Sequence, residues 1–552
     1  MRRWNGWGDD SVIYPVPERA ARFLEERLGP GTPPRDVSLP EVLASVPPSR
    51  LRPYRLVSQE AWVRLCHARG QSLPDWIALR YGRIPAFPDG VAFPEVEEDV
   101  RDLLKYAAEV GARVIPYGGG TSVVGHVNPL PGEGPVLTVS LSRMNALRKL
   151  DAEAQLATFE AGVTGPELEA QLKPYGFTLG HFPQSFEYST LGGWIASRSS
   201  GQQSLGYGRI ERLFAGGRLE APTGTLVFPP FPGSAAGPDL REAVLGSEGR
   251  LGILTEATVR ITPLPEREEF HAAFFPDWEA AVAAARAIVQ ARLPLSMLRI
   301  STPEETETTL ALAGHERLIS ALEKVLALRG AGKGKCMAIL GFTGREKVVR
   351  LSRSETLRIA RDHGGIHVGR TFGTEWHRSR FRTPYLRNAL WEMGYAVDTL
   401  ETAVPWPAVP VLVADLQRTL TAGLETYGEA VHVFSHLSHL YPSGSSIYTT
   451  YLFRLPVDPD EALERWRRLK RLASQAIVAH GGTISHQHGV GTDHLPYLAA
   501  EKGELGLMLV ESLCRTLDPL GIMNPGKLIE GRGCPKRSDL HPGPTSAAPG
   551  TC

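Results

Sequence analysis

The stretch Pro116-Tyr-Gly-Gly-Gly-Thr-Ser-Val-Val-Gly125 places three consecutive glycines directly after an apolar run and follows them with two hydroxyl side chains. Glycines without side-chain bulk let the backbone approach a phosphate closely, and amides strung around such a turn make an anion-binding concavity. Pro116, Tyr117, Gly118, Gly119, Gly120, Thr121 and Ser122 are therefore candidate ligands of a pyrophosphate. No Gly-Lys-Ser follows, which excludes a Walker loop. Val123 and Val124 open no obvious helix, and no acidic ribose ligand stands out, which separates the loop from the Rossmann fingerprint. A plain glycine-rich turn is the competing reading for this loop taken alone.

Outward from the loop, periodicity predicts a helix over 96–110 and a strand over 113–116, then strands over 136–141, 155–160 and 255–261. Upstream, helical patterns cover 18–28 and 58–68, separated by proline-rich intervals. Downstream, 278–290, 459–480 and 501–517 read as helices and 337–341 as a strand. The expected organisation is a helical lead-in over 1–85, a cofactor domain over 86–265, an α+β cap over 266–475, a segment over 476–530 that completes the active site, and a disordered tail over 531–552.

The 552 residues exceed what one core usually serves, and at 42% hydrophobic they can bury a large one. Lys+Arg and Asp+Glu are balanced at 60 each, so composition gives no basis for nucleic-acid binding. The five cysteines, Cys66, Cys336, Cys514, Cys534 and Cys552, contain no Cys-x-x-Cys pair, which argues against a zinc knuckle, an iron–sulfur cluster or a disulfide framework. The chain reaches Asp9 and Asp10 before any apolar stretch suited to a signal peptide, so a soluble cytoplasmic protein is expected.

Two further loops of small and hydroxyl residues follow, within 182–201 and 246–261. The order and spacing of the three loops resemble the vanillyl-alcohol oxidase/p-cresol methylhydroxylase superfamily. That resemblance implies an α+β fold with a two-subdomain FAD-binding unit and an α+β cap. It assigns FAD contacts to the first loop and to Gln184, Ser185, Phe186, Glu187, Tyr188, Ser189, Thr190, Ser197, Arg198, Ser199 and Ser200, and to Glu248, Gly249, Arg250, Leu251, Gly252, Ile253 and Leu254. Some relatives tether FAD through a histidine in a Gly-Gly-His pattern. Gly120 stands at that place here, so the implied FAD is non-covalent.

The segments WNGWG (4–8), EAGVTGPELEAQL (160–172), SFEYSTLGGW (185–194), YLRNALWEMGYAVDTLETAVPW (385–406) and GGTISHQHGVG (481–491) narrow the resemblance to the alkyldihydroxyacetonephosphate synthase family. That family implies exchange of the acyl chain of acyl-dihydroxyacetone phosphate for a fatty alcohol, with flavin used without net oxidation. Arg387 falls at the phosphate-binding arginine, and a guanidinium suits a phosphate dianion. Arg299 matches a second arginine of functional importance, and Tyr448 the catalytic tyrosine. A phenol exchanges protons only if neighbours adjust its acidity, and His486 and His488 are the expected neighbours, with His488 the better base. The family's usual three-histidine run is broken by Gln487. Long-chain substrates require an apolar tunnel and peripheral access to lipid, and the superfamily resemblance carries an expectation of a homodimer.

The competing enzyme reading is a D-lactate or glycolate dehydrogenase of the same superfamily, favoured by DPLGIMNPGK (518–527). Those enzymes use a metal held by H-x-G-D-G-N-x-H and the glutamate of E-H-G. Here Tyr448 stands at the second histidine place and Gln487 at the glutamate, so no catalytic metal is expected. His432, His436 and His439 are spaced for a metal only on a helix, and the region reads as strand and loop. A flavoprotein subunit without activity of its own is a third reading, against which Arg387, Tyr448 and His488 weigh.

Overall fold

The computed structural model describes residues 2–132, 134–313 and 316–530; the expected tail lies outside them. In the first half, helix α1 spans Glu18–Leu28 and helix α2 Glu97–Val110. Val100, Leu103, Leu104 and Ala107 of α2 are all buried, the i, i+3, i+4, i+7 stripe that docks a helix on a sheet. Gly111 ends it with a left-handed φ of 66°. Strand β1 (Arg113–Tyr117) runs parallel to β2 (Val136–Ser140), the connection being the glycine loop. A second, antiparallel sheet contains β3 (Leu156–Glu160), β4 (Phe214–Ala221) and β5 (Ile253–Arg260), with β5 between the other two. Helix α3 (Leu191–Ser197) packs beside β5. Phe159, Phe214, Ile195 and Ile253 belong to the shared core.

The second half is built on one large antiparallel sheet. Its strands, in chain order, are β6 (Arg267–Phe275), β7 (Met297–Ser301), β8 (Cys336–Gly344), β9 (Tyr395–Pro405), β10 (Val431–Leu437) and β11 (Gly444–Arg454). In space the order is β6-β8-β7-β10-β11-β9, with the short strand Ile366–His367 beyond β6. One sheet face is covered by helices α4 (Trp278–Gln290), α5 (Val409–Thr421) and α6 (Pro459–Ala479), which bury Ala285, Ile288, Leu412, Leu416, Leu469 and Ala473 in the largest core cluster. The other face looks toward the glycine loops.

The helices expected over 18–28 and 278–290 coincide with the observed ones. That expected over 58–68 shortens to Ala61–Cys66, and the last one begins earlier, at Leu498, and is kinked at Gly503, whose φ is 64°. No helix among the described residues is long and apolar enough to cross a membrane.

The amino-terminal strap ties the halves together. Arg80 donates to the Asn5 carbonyl at 2.7 Å, and Asn388 exchanges two hydrogen bonds with the backbone of Trp7, at 3.2 and 3.0 Å. Trp7 meets the Tyr188 ring edge-on and reaches the central cavity.

Phe453, fully buried on β11 between β9 and β10, anchors the sheet to its helices. Phe453→Ala is expected to lower the unfolding free energy by about 3–5 kcal/mol, measured by urea denaturation.

Candidate active site

A single cavity of about 1420 Å³ runs between the glycine loops and the open face of the large sheet. Its first wall is the loop after β1. The amides of Gly118 through Ser122 have no protein acceptor among the described residues, while the Ser122 carbonyl accepts from Gln71 N at 2.6 Å and holds the turn in place. Buried amides left without partners are the feature that a bound pyrophosphate satisfies. The loop has no room to spare: a Cβ on Gly119 would lie 1.7 Å from the Tyr188 carbonyl, and one on Gly118 would lie 2.2 Å from Thr190 Oγ1. Arg2 donates to the Gly119 carbonyl, a contact made by the strap.

Beside this loop the wall is made by Gln184, Ser185, Ser189, Thr190, Ser197, Ser199, Ser200, Glu248, Gly249, Gly252, Ile253 and Leu254, together with Pro116 and Tyr117. Thr190 caps α3 by accepting from the Gly193 amide, which directs the start of that helix at the cavity. Other residues of the same loops point elsewhere. Phe186 stacks on Phe381, Tyr188 bonds to Tyr385 at 3.0 Å, and Leu251 lies in the core. Arg198 takes a left-handed φ of 54° and reaches the Leu245 carbonyl, Arg250 reaches the Met523 carbonyl, and Glu187 adjoins Tyr385. Glu248 uses its carboxylate to accept from the amides of Val490 and Gly491 at 2.5 and 2.9 Å.

The opposite wall is the sheet, and strand register dictates what it displays. Glu401 on β9, Tyr448 on β11 and His436 on β10 are direct cross-strand partners, so all three share one face. The next row is Thr399, Thr450 and Phe434, and the next Val397, Leu452 and His432.

Glu401 organises the polar end and is the site residue that sequence reading missed. It is 1% exposed. Ser438 donates to Oε1 at 2.8 Å and Gln487 to Oε2 at 2.5 Å. His486 brings Nδ1 to 3.2 Å of Oε1, and His439 stands at 3.8 Å. Burial works to raise this carboxyl, but the pull of His486, by charge and hydrogen bond, overcomes it and holds Glu401 well below the usual carboxylate range. Arg209 and the Tyr441 hydroxyl both meet His486 Nε2, at 2.8 and 2.7 Å, while Nδ1 faces Glu401. The side-chain atoms of Glu401, His439 and His486 lie within 4.8 Å of one another, a spacing a cation could span.

Gln487 also accepts from the Ser200 amide at 3.2 Å, so its amide spans the two halves of the molecule. His488 and Tyr448 both line the cavity, with ring centroids 5.8 Å apart and edge to face. Burial lowers His488 to about 4. Burial likewise raises Tyr448 to about 12, against a hydrogen bond to Thr399 and the charge of Arg387. The flat neighbour of Tyr448 is His436, stacked at 4.9 Å with 14° between planes.

Arg387 donates through one nitrogen to the Gln71 carbonyl at 2.7 Å and lies over the Trp76 ring at 4.3 Å. Its Nη2 has no partner, and the side chain lines the cavity. Arg299 also lines the cavity but is paired with Glu305 at 2.7 Å. The three spaced histidines diverge: His432 meets Thr308 at 2.9 Å, His436 meets Glu305 at 2.8 Å, and His439 meets Ser200 and Ser204 at 3.2 and 3.0 Å.

Residues 88–228 match the family model described as FAD binding domain, and residues 264–528 match FAD linked oxidases, C-terminal domain. The alkyldihydroxyacetonephosphate synthase of Dictyostelium discoideum is 31% identical over 96% of this chain and 93% of its own length. This chain belongs to the alkyldihydroxyacetonephosphate synthase family. A solved structure of an alkyldihydroxyacetonephosphate synthase superposes with a TM-score of 0.81 at 29% identity, covering 95% of this chain and 98% of that one. A p-cresol methylhydroxylase structure, at 16% identity and a TM-score of 0.64 over 85% of this chain and 93% of its own, shares the fold. FAD is thus the cofactor of this synthase-family chain, and the partnerless amides of the glycine loop fit its pyrophosphate.

Gly119→Ala is expected to yield folded protein that retains less than a tenth of the wild-type flavin absorbance at 450 nm after gel filtration, because the loop must shift away from Tyr188. Glu401→Leu leaves the donors of His486, Gln487 and Ser438 unmatched, at about 1–3 kcal/mol for each buried group. Urea denaturation at pH 7 should show a loss of about 3 kcal/mol or more. Because the folded carboxyl is depressed, its contribution is full above the usual carboxylate range, begins to fade there and is lost only as pH falls through the much lower folded value, so the deficit should begin to narrow at pH 4.

Proposed function

We propose that the protein is an FAD-dependent alkyl transferase of ether-lipid synthesis, exchanging the fatty acid of acyl-dihydroxyacetone phosphate for a fatty alcohol. The observation that carries this reading is the mixed lining of one cavity, which joins the Tyr448, Arg387 and His488 cluster to an apolar limb lined by Met297, Leu312, Ile319, Met337 and Ile339. A small hydroxy acid would use the first part and leave the second exposed to water. A chain of methylenes gains about 0.8 kcal/mol for each one buried there.

Arg387, which lines the cavity, would bind the phosphate and fix the reacting carbon in place. FAD, held without a covalent tether, would supply a nucleophilic ring nitrogen with no net change in oxidation state. Tyr448, raised to about 12, stays protonated at neutral pH and starts as a proton donor. His488, lowered to about 4, stays neutral and starts as an acceptor. His486 would support both by keeping Glu401 charged. Arg299, already paired, would act through Glu305 and not as a free charge. No catalytic metal enters this reading, since Tyr448 and Gln487 stand where two ligands would be. The substrates partition into lipid, which implies peripheral contact with a membrane from the cytoplasm.

Purified protein given acyl-dihydroxyacetone phosphate and labelled hexadecanol should place the label in an ether product by mass. Tyr448→Phe should lower turnover by about 100-fold or more with its flavin retained. No ether from the wild type, under conditions where flavin is bound, would refute the transferase reading.

A further inference from the structure

Of the three spaced histidines, His436 has the setting of a base. Its partner Glu305 lies in the first turn of the helix Pro303–Leu312, which Thr302 caps, and the Thr302 amide donates to the Ser435 carbonyl at 2.9 Å. This fixes the carboxylate against β10 independently of any ligand. Burial acts to raise Glu305, but Arg299 and His436 outweigh it and lower the group to about 2. An ionised carboxylate 2.8 Å from His436 Nδ1 requires the ring proton to be on that nitrogen, with the Arg299 guanidinium flanking at 3.2 Å. Nε2 then carries the lone pair. It makes no hydrogen bond to a described residue, and it is not among the sealed, partnerless atoms of the core, so it opens on the cavity that His436 lines. The carboxylate–imidazole pair resembles the orienting half of a catalytic triad in logic: one nitrogen is fixed so that the other can accept.

Its location specifies the proton. His436 shares a row with Tyr448 on one side and with Ser301 of β7 on the other, and the apolar limb with Met297, Met337 and Ile339 lies along β7 and β8. A fatty alcohol lying in that limb presents its hydroxyl at this boundary. We propose that His436, held by Glu305, is the base that takes the hydroxyl proton of the incoming alcohol. This rests on the transferase reading above. The O–H bond breaks, its proton passes to Nε2, and the oxygen's electron pair forms the ether C–O bond. Over the whole exchange the C–O bond to the fatty acid breaks with its pair leaving on the carboxylate, the ether C–O bond replaces it, and the imidazolium gives its proton to water, which restores the ring.

The charged and titratable groups facing His436 are Glu305, Arg299, Glu401 and Tyr448. Burial and Arg299 lower its affinity for a proton, and Glu305 and Glu401 raise it, with the net direction downward. Turnover should therefore fall along an acid limb below the ordinary histidine range. Glu305→Gln removes a raising charge and should move that limb to lower pH, with about tenfold slower turnover on the plateau. His436→Phe keeps a flat ring against Tyr448 without a nitrogen. It should lose about 100-fold or more in turnover, with flavin content unchanged and KM for the acyl substrate within about threefold. His436→Phe turning over within about threefold of the wild type would overturn the proposal, showing the ring to be packing. A limb that stays in place in Glu305→Gln would also overturn it, since the limb then belongs to another group. Wild-type protein that makes no ether is a different failure, that of the transferase reading, and is seen before any variant is compared.

Discussion

The polar end of the cavity depends on a carboxylate kept charged out of water. Stranding an ion in a dry interior costs several kcal/mol unless its lone pairs are matched. Glu401 meets this condition with donors drawn from three places: Ser438 beyond β10, and His486 and Gln487 from the loop after α6. The loop in turn continues the hydrogen bonding of β9, its His486 amide donating to the Glu401 carbonyl at 3.1 Å. Tyr448, opposite Glu401 in register, and His488, next along the loop, take their positions from this arrangement. Arg209 acts one bond further out, holding His486 through Nε2 at 2.8 Å and through its carbonyl at 3.0 Å.

The same loop joins the two halves of the molecule. At one end Thr483 and His486 lie along β9; at the other Val490 and Gly491 are held by Glu248 from the cofactor side. Gln487 sits between, bonded to Glu401 on one side and the Ser200 amide on the other. A side-chain amide carries donors at its nitrogen and an acceptor at its oxygen, and this bridge uses both ends. The departure from the three-histidine run thus substitutes a bridging group that never changes charge for one that titrates.

Local signals were legible in the chain. Three glycines after a strand describe a backbone turn that needs nothing distant to be recognised, and the helix over 278–290 shows its buried stripe within four turns. Arg387 and Tyr448 were named through resemblance, and both reach the cavity. Glu401 was not named although it lies within a quoted segment, because its meaning comes from pairing with Tyr448, forty-seven positions away on another strand. Register is a property of the assembled sheet. The same holds for His436: along the chain its spacing to His432 and His439 suggests a shared ligand, whereas the fold sends the three to different partners. Half of the segment 184–190 was legible only as a loop, since which side chains turn inward is set by Phe381 and Tyr385 from the other half.

The central claim is that this charge-matched cluster handles protons in a group transfer and does not serve an oxidation. The most direct measurement is anaerobic mixing of the FAD-loaded protein with D-lactate, glycolate or glycerol 3-phosphate, followed by absorbance at 450 nm over many minutes. The oxidised flavin band is expected to persist with all three. Bleaching by any of them at a rate comparable with turnover would contradict the claim, and would make the Glu401 cluster the base of a dehydrogenase.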